Sequence, residues 1–174
     1  MVLNDKTISL VFFRIIGAII SIFVFLSTVA HCQTVQGNAL AFIDGDTIQF
    51  RQNNGKVYKV RLIGIDAPEI KQDFGRECKD LLKSRTFGKP LTLQVFDVDM
   101  YKRPLAKIST PTIADVNLFM LENGCAWSYS PPMALKTAYE SAEATAQNNH
   151  AGLWENEFAL PPWQFRRSVL NPCQ

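Results

Sequence analysis

Residues 42–69, FIDGDTIQFRQNNGKVYKVRLIGIDAPE, decide the fold. Ile43, Ile48 and Phe50 set the apolar positions of one strand, and Val57, Val60, Leu62, Ile63 and Ile65 those of a second. Asn53-Asn54-Gly55 stands between them, and an Asn-Gly pair between two such runs is strong hairpin chemistry. Antiparallel pairing lays the start of one strand beside the end of the other. Asp44 and Asp46 therefore come close to Asp66, although about twenty residues of chain separate them.

Clustered carboxylates repel, so a cluster that persists holds a cation or shares a proton. Arg61 adds a phosphate-type cation to the same hairpin. Pro68 stops the strand and leaves Glu69 on a loop at the rim of the sheet. Taken singly, each acid reads equally well as a turn or strand-end residue. Two acids, an arginine and a glutamate on one hairpin point instead to a site built from Asp46, Arg61, Asp66 and Glu69.

Outward from the hairpin, Val35–Ile43 reads as a strand entering it. From Asp73 to Phe87 the pattern turns helical, with Phe74, Cys78, Leu81, Leu82 and Arg85 in step, and Gly88-Lys89-Pro90 closes the run. Leu91–Val98 alternates as a half-buried strand, and Leu105–Ile108 is its antiparallel partner across a turn holding Asp99, Tyr101, Lys102 and Arg103. Ile113–Glu122 is a short amphipathic helix with Val116, Leu118, Phe119 and Leu121 inward. Pro131-Pro132 open a helix over Met133–Asn149, where Ala134, Ala138, Ala142 and Ala146 make a small-residue stripe. The tail ALPPWQFRRSVLNPCQ reads as a segment laid over the surface. The sum is an α+β fold, a five-stranded OB-type barrel with three packed helices.

The 174 residues suit one folded domain at 33–155, preceded by residues 1–32 and followed by the tail, 156–174. A formal charge of +2 excludes a polycation, so nucleic-acid affinity must come from local placement of Arg and Lys. Lys6 and Arg14 precede the apolar run Ile15–Ala30, which describes a secretory signal peptide, with an uncleaved anchor as the alternative. The expectation is export to the medium or periplasm. Lipidation at Cys32 is disfavoured by His31 just before it. Cys32, Cys78, Cys125 and Cys173 follow no zinc-ligand spacing. Cys78 and Cys125 both lie on apolar segments and form the candidate disulfide, against the alternative of buried free thiols.

With DGDTIQF, VRLIGIDAPE, MYKRPLA and NGCAWSY followed by a late helix ending in GLW, the chain resembles the staphylococcal nuclease-like, or thermonuclease, family from about Val35 to Trp154. The resemblance implies Ca²⁺ held by Asp46, Asp66 and the backbone carbonyl of Ala67. It implies Glu69 as the catalytic glutamate, and Arg61 and Arg103 as the arginines on the scissile phosphate. DNA and RNA are the implied substrates, with single strands preferred, cleavage leaving 3′-phosphates, and a monomer as the working unit. The sequence departs from the family at Lys102, where glycine is common, and at Pro104, so the turn carrying Arg103 is open to a different shape.

The residues alone support the same chemistry. Carboxylate and carbonyl oxygens are hard ligands suited to Ca²⁺. Glu69 serves either as base or as the group that orients the attacking water. Arg61 and Arg103 offer planar forks matched to phosphate, or else a strand-face ion pair at Arg61 and a solvated turn residue at Arg103. Tyr101 and Tyr129 lie beside the motif turns and offer faces for bases, or else pack the barrel rim. Asp97 and Asp99 read as surface turn acids and His150 as a solvated helix end. Asp44-Gly45-Asp46 lacks the spacing of an EF-hand loop. The Glu69-Ile70-Lys71 triplet does not continue a strand past Pro68, against an ExK-type site. Two further readings are a non-catalytic OB-fold module binding single strands or a protein, and an envelope-anchored structural domain. Retention of both acids, the glutamate and both arginines argues against the first.

Overall fold

The hairpin forms as its turn chemistry dictates. β2 (Thr47–Gln52) and β3 (Val57–Leu62) pair antiparallel with Thr47 opposite Arg61 and Phe50 opposite Tyr58. The turn is closed by Gly55 N–H donating to the Gln52 carbonyl at 2.8 Å and by Lys56 N–H donating to Asn54 Oδ1 at 3.1 Å. This computed structural model describes residues 33–170. The expected signal peptide or anchor, Cys32 and Cys173 lie outside those residues.

β1 (Gln33–Phe42) pairs antiparallel with β2 on one side and β5 (Leu91–Val98) on the other. β6 (Pro104–Ser109) pairs antiparallel with β5 and parallel with the end of β3, which closes a five-stranded barrel in the order β1-β2-β3-β6-β5. The interior is filled by alternate residues of the strands, as half-buried periodicity requires: Ile48, Phe50, Val60, Leu62, Leu93, Ala106 and Ile108 are all buried.

The second strand does not run through to Asp66 as its apolar pattern suggests. It breaks at Gly64, whose φ of +78° and close approach to the Tyr139 ring (2.9 Å from a would-be Cβ) leave no room for a side chain. The chain then forms the short β4 (Ile65–Asp66), paired with β7 (Trp127–Ser128) and separate from the barrel. That break turns Asp66 back toward Asp46.

Among the described residues four helices accompany the barrel, one more than the three expected. They are α1 (Gly75–Thr86), α2 (Val116–Glu122), α3 (Met133–Asn148) and α4 (Pro162–Leu170), with a 3₁₀ turn over Gly152–Glu155. Cys78 of α1 and Cys125 after α2 are joined as a disulfide across the core, Cα atoms 5.1 Å apart. α2 is capped by Asp115, which accepts from Leu118 N–H at 2.9 Å. Its buried face is Val116, Asn117, Met120 and Leu121, with Leu118 and Phe119 only partly covered. Asn117 is a polar residue on that buried face. It is buried because its amide reaches the Ile63 and Ala106 carbonyls (2.9 and 3.1 Å) and accepts from Ile108 N–H (3.1 Å), bracing the two-residue parallel joint of β3 and β6. The alanine stripe of α3 also needs correction. Ala142 and Ala146 are buried, but Ala134 and Ala138 are exposed, and Leu135 and Tyr139 complete the inward face. Tyr139 explains the rotation: its ring is too large to leave in water, and its hydroxyl donates to Asp115 at 3.2 Å. No helix among the described residues is long and apolar enough to cross a membrane.

Candidate active site

Asp46 leads into β2, and its carbonyl accepts from Leu62 N–H at 2.8 Å, tying the mouth of the hairpin shut. Asp66 ends β4, held by pairing with Trp127. Arg61, at the close of β3, spans the two acids: Nη1 donates to Asp46 Oδ1 at 2.7 Å and Nη2 to Asp66 Oδ1 at 2.6 Å. The convergence of acids expected from the hairpin is therefore present, with a guanidinium between them. Both carboxylates are buried, Asp66 completely.

Asp46 also accepts from Thr47 Oγ1 at 2.8 Å and from Ala67 N–H at 2.8 Å. Three donors on one carboxylate suit its ionised form, since a protonated carboxyl would have to aim its own proton among them. Burial nevertheless pushes the Asp46 carboxyl well above the usual carboxylate range, with Arg61 pulling it back and Asp44 pushing it further up. Hydrogen bonding calls for a charge that burial penalises, and added positive charge would reconcile the two.

A divalent cation fits that need. Asp44, Asp46, Asp66 and Glu69 stand with Arg61 and Arg166, a formal excess of two negative charges. Ala67 is buried beside Asp46, and its carbonyl oxygen accepts no hydrogen bond among the described residues. Those oxygens are hard donors. Among the described residues no group of three or more His, Cys, Asp or Glu side chains is arranged to hold a metal, and the expected set has only two carboxylates beside a carbonyl.

Glu69 sits on the loop after Pro68, held by its N–H to Gln72 Oε1 and its carbonyl to Gln72 N–H, both 2.8 Å. Gly75 opens α1 against that same Glu69 carbonyl, so closely that a Cβ would collide with backbone. The glycine fixes how near α1 approaches the loop. The Glu69 carboxylate points to a residue the sequence reading assigned no role: Arg166 of α4, whose Nη1 donates to Glu69 Oε1 at 2.9 Å. The same guanidinium donates to both oxygens of Asp66, at 2.7 Å through Nη2 and 3.2 Å through Nη1. The tail is thus no passive covering. The missed signal was Pro161-Pro162 before an apolar-basic run, the same helix-opening chemistry recognised at Pro131-Pro132.

Arg103 lies where the β5–β6 turn returns. Lys102 adopts φ +62°, the left-handed conformation for which glycine is suited, so the backbone keeps a glycine-type turn with a lysine in it. Asp99 organises this turn. Its carboxylate accepts from the backbone N–H of Tyr101 and of Arg103 (2.9 Å each) and from Arg103 Nε at 2.7 Å. Burial pushes the Asp99 carboxyl up, but the Arg103 backbone and side chain outweigh it and hold it below the usual range. Asp99, read as a surface turn acid, is thereby the residue that aims Arg103.

A cleft of about 920 Å³ gathers these parts: Arg61, Glu69, Arg103 and Arg166 line it, together with Asp44, Tyr101 and Tyr129. Asp46 and Asp66 lie below its surface, under the arginines. Tyr101 is 72% exposed, with Arg103 5.4 Å from its ring centre. Tyr129 is half-exposed and packs on Trp163 at 5.3 Å. Of the residues expected at the site, Arg61, Glu69, Arg103, Tyr101 and Tyr129 line one cleft, and Arg61 ties the buried Asp46 and Asp66 to it.

The known proteins to which this chain is similar point one way. The family model for the staphylococcal nuclease homologue matches residues 59–156, a span that takes in Arg61, Asp66, Glu69 and Arg103 but neither Asp46 nor Arg166. An uncharacterized endonuclease of Escherichia coli O157:H7 is 36% identical over 135 residues, 78% of this chain and 87% of that protein. A micrococcal nuclease of Shigella flexneri is 32% identical over 148 residues, covering 78% and 83%. A probable staphylococcal-like nuclease, CAN1, of Oryza sativa subsp. japonica is 37% identical over 122 residues, covering 67% of this chain and 34% of that longer one. With that match across more than half its length, the chain belongs to the staphylococcal nuclease homologue family.

Proposed function

We propose that this protein is a calcium-dependent nuclease that hydrolyses phosphodiester bonds of DNA and RNA with little regard to sugar or sequence. The observation that carries the reading is the cleft itself, in which Arg61, Arg103 and Glu69 converge above the buried pair Asp46 and Asp66. The names of its relatives, endonuclease and micrococcal nuclease, support the same class of reaction.

Asp46, Asp66 and the Ala67 carbonyl would hold the calcium ion, which when bound supplies Lewis-acid stabilisation of a phosphate oxygen. Glu69 takes a proton from the attacking water, or orients it, as the water oxygen bonds to phosphorus. The P–O5′ bond breaks, the leaving oxygen takes its bonding pair and a proton from solvent to become a 5′-hydroxyl, and the product carries a 3′-phosphate. Arg61 and Arg103 donate bidentate hydrogen bonds to the equatorial oxygens, where charge grows in the transition state. Arg61 uses two of its five N–H groups on carboxylates and reaches the Ile65 carbonyl at 3.5 Å through Nη2, which still leaves donors for phosphate. Tyr101 and Tyr129 offer exposed faces at the mouth, which favours unstacked single strands. The unit acts as a monomer.

Export fits the chemistry of the core, since a disulfide between Cys78 and Cys125 persists in oxidising compartments. N-terminal sequencing of mature protein from the medium or periplasm tests it; a retained residue 1 would replace a cleaved signal by an anchor. The function is tested by digesting plasmid, single-stranded DNA and RNA with Ca²⁺ or with EDTA. Cleavage of all three, fastest for single strands and abolished by EDTA, is expected. Equal rates with Mg²⁺ would count against the calcium assignment, because Mg²⁺ demands a tighter octahedral shell.

A further inference from the structure

We propose that Arg166 is a positioning residue of this active site, and that α4 is the element that delivers it. The proposal rests on the nuclease reading of the cleft and adds a residue to it. Arg166 lies 100 residues along the chain from Asp66 and 97 from Glu69, yet one guanidinium meets both oxygens of Asp66 and one of Glu69. An incidental surface ion pair has neither feature that follows. One partner, Asp66, is wholly buried, and the contact to it is a two-pronged fork, which fixes direction as well as distance. The helix that carries the arginine is also seated on the rim. The Trp163 ring lies between those of Trp127 and Tyr129, 6.3 and 5.3 Å away, and Gln72 Nε2 donates to the Leu160 carbonyl at 2.9 Å just ahead of the helix. Trp127 is the residue paired with Asp66, and Gln72 is the residue that holds the Glu69 backbone. Both anchors of the tail therefore land on the neighbours of the two carboxylates it grips.

Glu69 needs such a grip. It stands on a loop, and Arg166 is the one side chain among the described residues that hydrogen-bonds its carboxylate. A reacting group displaced by about 1 Å can lose roughly 100-fold in rate. Arg166 fixes the carboxylate against that drift, with Asp66 as the buried reference point. Lysine would keep the charge and lose the fork.

The test uses the full chain and two readouts. The first is a double-mutant cycle of Glu69→Gln and Arg166→Gln on the unfolding equilibrium in urea and EDTA, without substrate. A coupling of about 3-fold or more in the unfolding constant is expected, and a coupling indistinguishable from one overturns the clamp. The second is steady-state cleavage of single-stranded DNA at saturating Ca²⁺. Arg166→Gln and Arg166→Lys should each lower kcat roughly 10- to 100-fold with KM within about 3-fold. Trp163→Ala, which unseats α4 but keeps Arg166, should reproduce the loss, and the double variant Trp163→Ala/Arg166→Gln should be no worse than Arg166→Gln alone. An unchanged or raised kcat in Arg166→Gln would make the arginine a plug and overturn the proposal, as would a loss confined to KM. Wild-type protein that cleaves nothing would remove the nuclease reading instead, while the cycle in EDTA still decides whether the clamp exists.

Discussion

The Cys78–Cys125 bond closes a loop across a sequence separation of 47 residues and ties α1 to the segment entering β7. Constraining the unfolded chain by a loop of that size is worth about 4 kcal/mol on the chain-entropy relation. That is a large share of the roughly 5–15 kcal/mol by which domains are stable. Replacing both cysteines by alanine, with Cys32 and Cys173 changed to serine throughout, should therefore lower the urea midpoint by roughly 2–3 M, taking a slope of about 1.5 kcal/mol per molar. Far-UV circular dichroism follows the transition. The sharper measure is the cycle. Cys78 and Cys125 are both buried, so as separate thiols each loss would leave a cavity of its own and the double variant would fall well below either single one. As one bond, either single replacement already removes the whole constraint, and the double variant falls little further. Additive losses, or a double variant within about 1 kcal/mol of the parent, would refute the disulfide and the energy assigned to it.

Glu69→Gln keeps size and a hydrogen-bonding oxygen but cannot accept a proton, so turnover on single-stranded DNA should fall about 10²–10⁴-fold while the thermal melt stays close to wild type. Arg103→Lys should lose about 10²-fold in kcat, because Asp99 aims the Nε edge of the fork and lysine has none; a near-neutral result would place Arg103 outside the reaction. Lys102→Gly should raise stability by about 0.5–1 kcal/mol in a urea titration, since the left-handed backbone at φ +62° strains any residue with a Cβ. The Asp99 carboxyl is held below its ordinary value in the folded turn, so its contribution is present above the unfolded value of 3.8 and is lost as pH falls through the folded one. Comparing the acid limb of stability for wild type and Asp99→Asn checks this: the variant should show the shallower fall.

The barrel was legible because it rests on short-range signals. Period-2 alternation set the strand faces, and Asn54-Gly55 set the register that brings Asp46 toward Asp66. Arg61, Asp66 and Glu69 followed from the same hairpin, whereas Arg103 came from the family resemblance, since an isolated basic turn residue carries no signal of its own. What stayed hidden depends on contacts that no local pattern encodes. Asn117 looks outward until the β3–β6 joint supplies carbonyls for its amide. Ala134 and Ala138 look inward until Tyr139 claims the face. Arg166 looked like one more basic residue in a tail, because nothing near it in sequence hints at carboxylates 97 and 100 residues upstream.

The three tryptophans of the chain, Trp127, Trp154 and Trp163, come from three separate segments yet meet in one place, the Trp154 and Trp163 ring centres lying 5.2 and 6.3 Å from that of Trp127. Their indole transitions are close enough to couple, so the tryptophan signal of this protein reports on a single junction. Trp127 brings the strand that orients Asp66, and Trp163 brings the helix that carries Arg166. A spectroscopist following the intrinsic signal would be watching the seam between the tail and the reaction centre, with no label added. Loss of that signal ahead of the far-ultraviolet transition would mean that the seam opens while the barrel is still whole.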